Sequence, residues 1–469
     1  MDKLKHQPVD KWIIEPINKF INNSIASGVV LFLAAIIALV LSNSPISAQF
    51  HQIWEHKVVF AFDKYILSKN LSHWINDGLM SIFFFVVGLE LKRELVAGEL
   101  AKPKQALLPI LAAIGGMIAP AIIYYAFNHD ANTERANGWG IPMATDIAFA
   151  LGVLYLLGDR VSNGLKVFLT ALAIVDDLGA VLVIAFFYTS DISFVSLGFA
   201  ALFLSIMIIA NLMGVRSAIF YGIIGIFGLW TAFLMSGIHA TIAAVLAAFT
   251  IPATVKIEED GYIEKVNHLI NDFKKASRTH FKIVTDEQQK ILSEIRQYTD
   301  AALTPLQKLI QSLHPLVAFI IMPIFALANA GVTFDESLST AFTSKVTLGV
   351  FLGLLVGKLI GVFGTVYILT KLKIAVLPNN SNYKQMVGVS FLAGIGFTMS
   401  LFVTSLAFNE VHYTTEAKIG IFLASALAGI IGYFILRNTK KLLNYLSGNE
   451  AKCVLKLAVF LSSKNRFKA

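Results

Sequence analysis

Twelve apolar stretches follow one another along this 469-residue chain, at about 25–42, 74–91, 105–127, 138–157, 164–188, 192–212, 217–235, 237–253, 314–331, 346–370, 385–408 and 417–436. A helix that crosses a bilayer needs about 20 mostly apolar residues, and each stretch approaches that length. Hydrophobic residues make up 56% of the chain and charged residues 14%, where a soluble domain carries about 25% charged residues. The expected fold is an all-α polytopic membrane protein of about 12 transmembrane helices.

The basic residues set a topology. With both termini on one side, and cations at span ends counted with their loops, 31 of the 38 Lys and Arg residues fall on that side and 6 on the other; Lys358 lies inside a span. Basic loops stay cytoplasmic, so both ends are expected in the cytoplasm. The organisation expected is a cytoplasmic amphipathic segment at 1–24, a transmembrane domain at 25–436, a cytoplasmic helical insertion at 254–313 within it, and a basic cytoplasmic tail at 437–469. Head and tail mix Lys with large apolar residues, as interfacial helices on an anionic lipid surface do. The first 24 residues lack the short apolar core of a cleavable signal, so the first apolar run is expected to insert and stay. The loop 43–73 contains "KVVFAFDKYIL", whose alternation suits a β-hairpin.

Few ionisable groups fall deep within the spans: Asp146, Asp176, Asp177 and Lys358, with Asp77, Glu90 and His239 nearer span ends. A charge in the bilayer core costs at least about 2.5–3.5 kcal/mol. A salt-bridge network would be the bland explanation, but one lysine neutralises only one of three carboxylates. A water-accessible cation site accounts for all three acids. On a helix, the neighbours Asp176 and Asp177 point about 100° apart and can flank one cavity. Both cannot stay ionised cheaply when desolvated, and they would titrate as a coupled pair. With protons gone, the pair is an anionic oxygen pocket suited to a small hard cation. Proton and cation then compete for the same carboxylates.

Two spans carry interruptions. "GWGIPMATDIAFALGVL" (138–154) places Pro142 after two glycines, so "PMATD" is expected to leave the helix. "SFLAGIGFTMSLF" (390–402) has Gly394 and Gly396 at its centre. Irregular backbone at membrane depth is tolerated only where protein or water covers it, and paired interrupted spans point to a transporter site. Broken helices would leave facing N-terminal ends and facing C-terminal ends. Asp146 and Lys358 are the acid and base available to compensate them.

At these residues the sequence resembles the NhaA family of bacterial sodium/proton antiporters. The stretches that carry the resemblance are "WINDGLMSIFFFVVGLELKREL" (74–95), "AAIGGMIAPA" (112–121), "IPMATDIAFALGVL" (141–154), "LTALAIVDDLGAV" (169–181), "SGIHATIA" (236–243), "MPIFALANAGV" (322–332) and "GIGFTMSLF" (394–402). It implies an NhaA-like fold with inverted repeats and two discontinuous helices crossing near the midplane. It also implies electrogenic export of Na+, with Li+ as a further cargo, against entering protons in a bacterial inner membrane. By residue, it makes Asp176 and Asp177 the Na+ and proton site and Lys358 the partner of Asp176 when Na+ is absent. Thr145 and Asp146 complete the helix crossing. Glu90, Lys92, Arg93 and Glu94, with His239 and His314, are the residues it suggests for pH regulation. A homodimer through the 43–73 loop follows from the same analogy. The family often places an acid four residues before the His of the "HP" pair; here that position is Ile310, ahead of His314. This departure bears on the pH profile rather than on the transport chemistry.

Other classes fit less well. An intramembrane aspartyl protease needs Gly-x-Gly-Asp, and "YLLGD" (155–159) has Leu156 in the first glycine position. A prenyl-transferring enzyme needs repeating aspartates, and "LGAVLVIAFFY" after Asp177 has none. An open channel has no need of Lys358 and the broken helices, and a pH sensor alone would still require the acid pair. The one cysteine, Cys453, excludes an intrachain disulfide framework and a cysteine metal cluster. No enzyme activity, cofactor or nucleic-acid partner is expected; the partners are Na+, Li+, H+ and the lipid bilayer.

Overall fold

The computed structural model describes Glu15 and residues 24–62, 65–130, 134–189, 192–276, 283–333 and 341–439. The interfacial helices expected at 1–24 and 437–469 lie almost wholly outside these residues. In chain order the helices are α1 Ser24–Ser42, α2 Ser47–Glu55, α3 Leu71–Ala97, α4 Pro103–Asn128, α5 Ile147–Leu156, α6 Asn163–Phe187, α7 Phe194–Leu212, α8 Ala218–Leu234, α9 Ala240–Thr250, α10 Glu259–Lys275, α11 Asp286–Ala302, α12 Pro305–Asn329, α13 Lys345–Lys371, α14 Tyr383–Leu392, α15 Phe397–Ala407 and α16 Val411–Arg437. A 3₁₀ segment, Glu134–Met143, leads into α5. Strands β1 (Lys57–Phe62) and β2 (Tyr65–Asn70) form an antiparallel hairpin with Lys57 opposite Asn70, where the alternating pattern had placed one.

Among the described residues, eight helices are long and apolar enough to cross a membrane: α3, α4, α6, α7, α12, α13, α16 and the run Glu134–Leu156. Two more candidates are bent pairs, Ala26–Ser42 with α2 at 115° and α14 with α15 at 46°. Helices α8 and α9 are apolar but shorter. Every apolar stretch of the sequence therefore carries a helix, and among the described residues eight to ten of the twelve meet the length and composition of a span. The shortfall has local causes. Gly237 turns the chain with φ 84° before α9, and Pro252 follows its end, leaving eleven residues. Helix α12 begins nine residues before the apolar stretch does. Thr304 caps it by accepting from Gln307 N–H, Gln307 returns the bond, and Pro305 fills the first turn, where its missing N–H is harmless.

The chain divides into two compact units, Met1–Ala106 with Asp177–Leu338 and Leu401–Asn409, and Leu107–Asp176 with Ser339–Ser400 and Glu410–Ala469. One division falls inside α6, between Asp176 and Asp177. In the first unit, α9 is built from small residues and admits α3 closely: a Cβ on Gly88 would stand 2.8 Å from Ala248 Cβ. Their core joins Leu89, Met207, Tyr221, Leu229, Ala247 and Ile310. Helices α10 and α11 are the polar pair within 254–313. Lys308 Nζ reaches Asp300 Oδ1 at 2.8 Å, and this bond and charge hold the Asp300 carboxyl below its ordinary range.

In the second unit, α4 and α13 meet backbone to backbone. A Cβ on Gly361 would lie 2.1 Å from the Gly115 carbonyl oxygen. Small residues permit such approach between helices in lipid. Helix α13 also carries π-helical turns at Gly353–Gly357 and Leu359–Phe363, one on each side of Lys358; widened turns of this kind often mark functional positions. Large apolar side chains face outward, with Phe186 77%, Phe194 81% and Phe227 75% exposed, a surface that lipid covers and water would not.

The α4–α13 contact predicts that Gly361→Ala destabilises the protein by about 1–3 kcal/mol through overpacking, lowering its melting temperature in detergent. Gly364→Ala, on the same helix with nothing within 4 Å of the new methyl, serves as the neutral control.

Candidate ion-binding site

The interrupted spans meet within the second unit. After Met143 the backbone leaves the helix for three residues, Ala144–Asp146, and α5 begins at Ile147. Asp146 has extended backbone and caps α5: its Oδ1 accepts from Phe149 N–H at 3.0 Å. Its Oδ2 accepts from Thr398 N–H at 3.1 Å and from the Thr398 hydroxyl. One carboxyl thus serves the positive N-terminal ends of two helices, α5 and α15, where anionic groups are favoured.

The carbonyl ends are met by hydroxyls. Thr145 Oγ1 lies 2.8 Å from the Ala393 carbonyl at the end of α14, and Ser400 Oγ donates to the Ile141 carbonyl at 2.8 Å. Asp146 N–H donates to the Ile395 carbonyl at 2.7 Å. Short hydroxyls reach the carbonyls themselves, and the Lys358 ammonium bonds Asp176 Oδ2, the oxygen that Thr145 Oγ1 also touches. The two glycines allow this crossing. A Cβ on Gly394 would meet the Leu354 carbonyl oxygen at 2.5 Å, and one on Gly396 would meet Ser400 Oγ at 2.2 Å.

Lys358 Nζ donates to Asp176 Oδ2 at 2.5 Å, with neither side chain exposed. Thr145 Oγ1 lies 2.7 Å from the same oxygen. Asp176 Oδ1 is buried and has no hydrogen-bond partner among the described residues. Asp177, the next residue of α6, is fully buried too. A Cβ on Gly116 would lie 2.8 Å from Val362 Cγ2, so its absence lets α4 and α13 approach closely beside Lys358. The site therefore offers carboxylate oxygens, one ammonium and one open acceptor atom, the donor set of a hard-cation or proton site.

The residues expected in pH regulation separate into two groups, both in the first unit. Lys92 Nζ donates to the Phe249 and Ile251 carbonyls at 2.7 and 2.5 Å, capping the C-terminal end of α9. Arg93 pairs with Glu94 at 3.0 Å, and Glu90 lies within the fields of His314, Arg93 and Glu94. His239 stands apart from them, at the start of α9, with Nδ1 3.8 Å from Asp77 Oδ1; His73 Nε2 holds the other Asp77 oxygen at 2.8 Å. Ile310 is buried in the apolar core of the first unit. Sequence reasoning missed Thr398, Ser400 and the Asp77–His73 pair. Thr398 and Ser400 follow the glycines of a quoted motif, but a hydroxyl in an apolar helix carries no sequence signal of a tertiary partner.

An all-α, multi-pass integral membrane protein with ionisable groups buried beside two broken helices is the class this fold and site define. A family model described as Na+/H+ antiporter 1 matches residues 18–436. The Na(+)/H(+) antiporter NhaA of Oleidesulfovibrio alaskensis is 49% identical over 434 residues, covering 92% of this chain and 95% of its own. The Na(+)/H(+) antiporter NhaA 2 of Syntrophotalea carbinolica is 46% identical over 423 residues (90% and 96% covered). The Na(+)/H(+) antiporter NhaA of Wolinella succinogenes is 44% identical over 438 residues (93% and 95%). The chain belongs to the NhaA family of Na+/H+ antiporters, which are transporters and not enzymes.

Removing the lysine would strand a buried carboxylate, so Lys358→Ala is expected to cost about 3–5 kcal/mol, read as a lower melting temperature in detergent. The double variant Lys358→Ala with Asp176→Asn should recover most of that loss. A Lys358→Ala protein as stable as the parent would show that the pair does not support the fold.

Proposed function

We propose that the protein exchanges cytoplasmic Na+ for external protons by competition at Asp176 and Asp177. The observation that carries this reading is the buried Lys358–Asp176 pair, with an open carboxylate oxygen and a second buried acid next along the helix. The relatives, all named Na(+)/H(+) antiporters, support the same ions.

The cycle follows from charge. At alkaline cytoplasmic pH the acids give up their protons, and the desolvated carboxylates draw Na+ in place of them. Na+ binding takes Asp176 from Lys358, since the two cations compete for one carboxyl. The loaded site is then exposed outside, where a higher proton concentration protonates the acids and displaces Na+. Two carboxylates that must both ionise to hold one monovalent cation take up more positive charge on the return than they carried out. The exchange therefore moves net charge and is driven by the membrane potential as well as by the pH gradient. Li+, smaller and equally hard, is accepted by the same oxygens.

The remaining assignments are part of this proposal. Both termini and the insertion 254–313 face the cytoplasm of a bacterial inner membrane, an orientation that the bias of the basic residues supports. Thr145 and Asp146 maintain the crossing. Glu90, Lys92, Arg93, Glu94 and His314, and separately His239, tune the response to pH. The β1–β2 hairpin joins two copies as a homodimer.

In proteoliposomes carrying a pH gradient, adding Na+ or Li+ should dissipate the gradient, increasingly from neutral to alkaline pH, and K+ should not. Asp177→Asn and Asp176→Asn should each abolish the Na+ response. Retention of Na+-dependent exchange in Asp177→Asn would overturn the site assignment.

A further inference from the structure

A cavity of about 370 Å³ opens in the second unit where α4 ends and α13 begins. Its walls carry two fixed cations, Arg135 and Lys345, against one carboxylate, Asp130. Lys345 is the first residue of α13, so the positive end of that helix adds to the same side of the balance. A cavity so charged favours an anion.

A bare anion would not satisfy it. Asn128, in the cavity wall, is buried, and its amide cannot be turned over: Nδ2 donates to the Tyr124 carbonyl at 3.2 Å and to the Lys345 carbonyl at 2.9 Å. Oδ1 is left as an acceptor with no hydrogen-bond partner among the described residues, which is costly away from water. Tyr124 Oη donates to the Arg135 carbonyl at 2.8 Å, so α4, the 3₁₀ segment and α13 are tied together around the cavity. Arg135 Nη2 reaches Asp130 Oδ2 at 3.3 Å, long for such a pair, and a guanidinium carries five donors. An occupant should therefore bring anionic oxygens for Arg135 and Lys345 together with a hydrogen-bond donor for Asp130 and Asn128.

The surface below the cavity indicates where such an occupant comes from. Ile118, Ile122 and Tyr125 are three or four residues apart on one face of α4, and all are exposed. The same spacing reaches His129 in the cavity wall. An apolar chain can lie along this stripe while its polar head enters the cavity, at the level where the spans end.

We propose that this cavity binds the headgroup of a bilayer phospholipid that carries a primary ammonium, of the phosphatidylethanolamine class. The phosphodiester lies between Arg135 and Lys345, the ammonium turns to Asp130 and Asn128 Oδ1, and one acyl chain follows the stripe on α4. A headgroup so held joins the end of α4 to the start of α13, the helix that carries Lys358. It also steadies Arg135, at the start of the segment that leads to the break at Ala144–Asp146. The lipid braces the second unit, and this role stands apart from the ion-exchange reading.

The test is to add phosphatidylethanolamine to the delipidated full chain in detergent. At about a hundredfold excess over its Kd, the lipid should raise the melting temperature by about 3 °C. Phosphatidylcholine has the same phosphate but no N–H to donate, and should give less than about half that rise; inorganic phosphate should give none. The double variant Arg135→Gln with Lys345→Gln should lose the rise. Should that variant fail to fold, Lys345→Gln alone, at an exposed position, should lose about half of it or more. An undiminished rise in the variant tested would overturn the proposal, as would an equal rise with phosphatidylcholine. A rise with inorganic phosphate alone would overturn the lipid assignment in favour of a free anion.

Discussion

Lys358 and Asp176 meet at 2.5 Å in a place where neither is exposed to solvent. Taking an ammonium and a carboxylate out of water costs several kcal/mol each, and their attraction offsets this only with good geometry and further hydrogen bonds. Much of the surrounding structure supplies those conditions. The close approach of α4 at Gly116 encloses the lysine, and two π-helical turns flank its position on α13. Thr145 adds a hydroxyl at the oxygen that the lysine holds. A pair so placed is held only while its partners stay, and this makes it useful for exchange. In the proposed exchange, either a proton or a cation on Asp176 would release the lysine.

The second constraint is the backbone. Interrupting two helices inside apolar surroundings exposes N–H and carbonyl groups that lipid cannot satisfy. The accounting closes with few residues. Asp146 takes the N-terminal ends of α5 and α15, Thr145 reaches the carbonyl end of α14, and Ser400 reaches the Ile141 carbonyl. Thr145 belongs to both accounts, since it also touches Asp176. The buried carboxyl and the helix crossing therefore share a side chain.

Much of this was legible in the sequence, for stated reasons. Apolar length marked a helix under every stretch, and an acid in such a run is too costly to be incidental, so Asp146, Asp176, Asp177 and Lys358 stood out. Pro142 and the Gly394–Gly396 pair marked the breaks. The hairpin at 57–70 followed from alternation. What escaped was tertiary. Hydroxyls are common in apolar helices and form local bonds at no visible cost, so nothing in the sequence separated Thr398 and Ser400 from Thr170 or Ser205, which bond their own helix. The pairing of Lys358 with Asp176 came from the family resemblance, since the residues alone do not show how α13 packs. The start of α12 was readable as the capping box at Thr304, but the apolar criterion alone passed over it. Helices α8 and α9 show the limit of that criterion, since a run can be apolar throughout and still be cut by Gly237 and Pro252.

The central claim is that Na+ and protons compete for the same buried carboxyls. It is tested most directly by adding Na+ to the purified protein in weakly buffered detergent and reading proton release with an indicator dye. The account predicts release in step with Na+ binding, and none from the double variant Asp176→Asn with Asp177→Asn. Na+ binding to the parent protein without release of protons would contradict it.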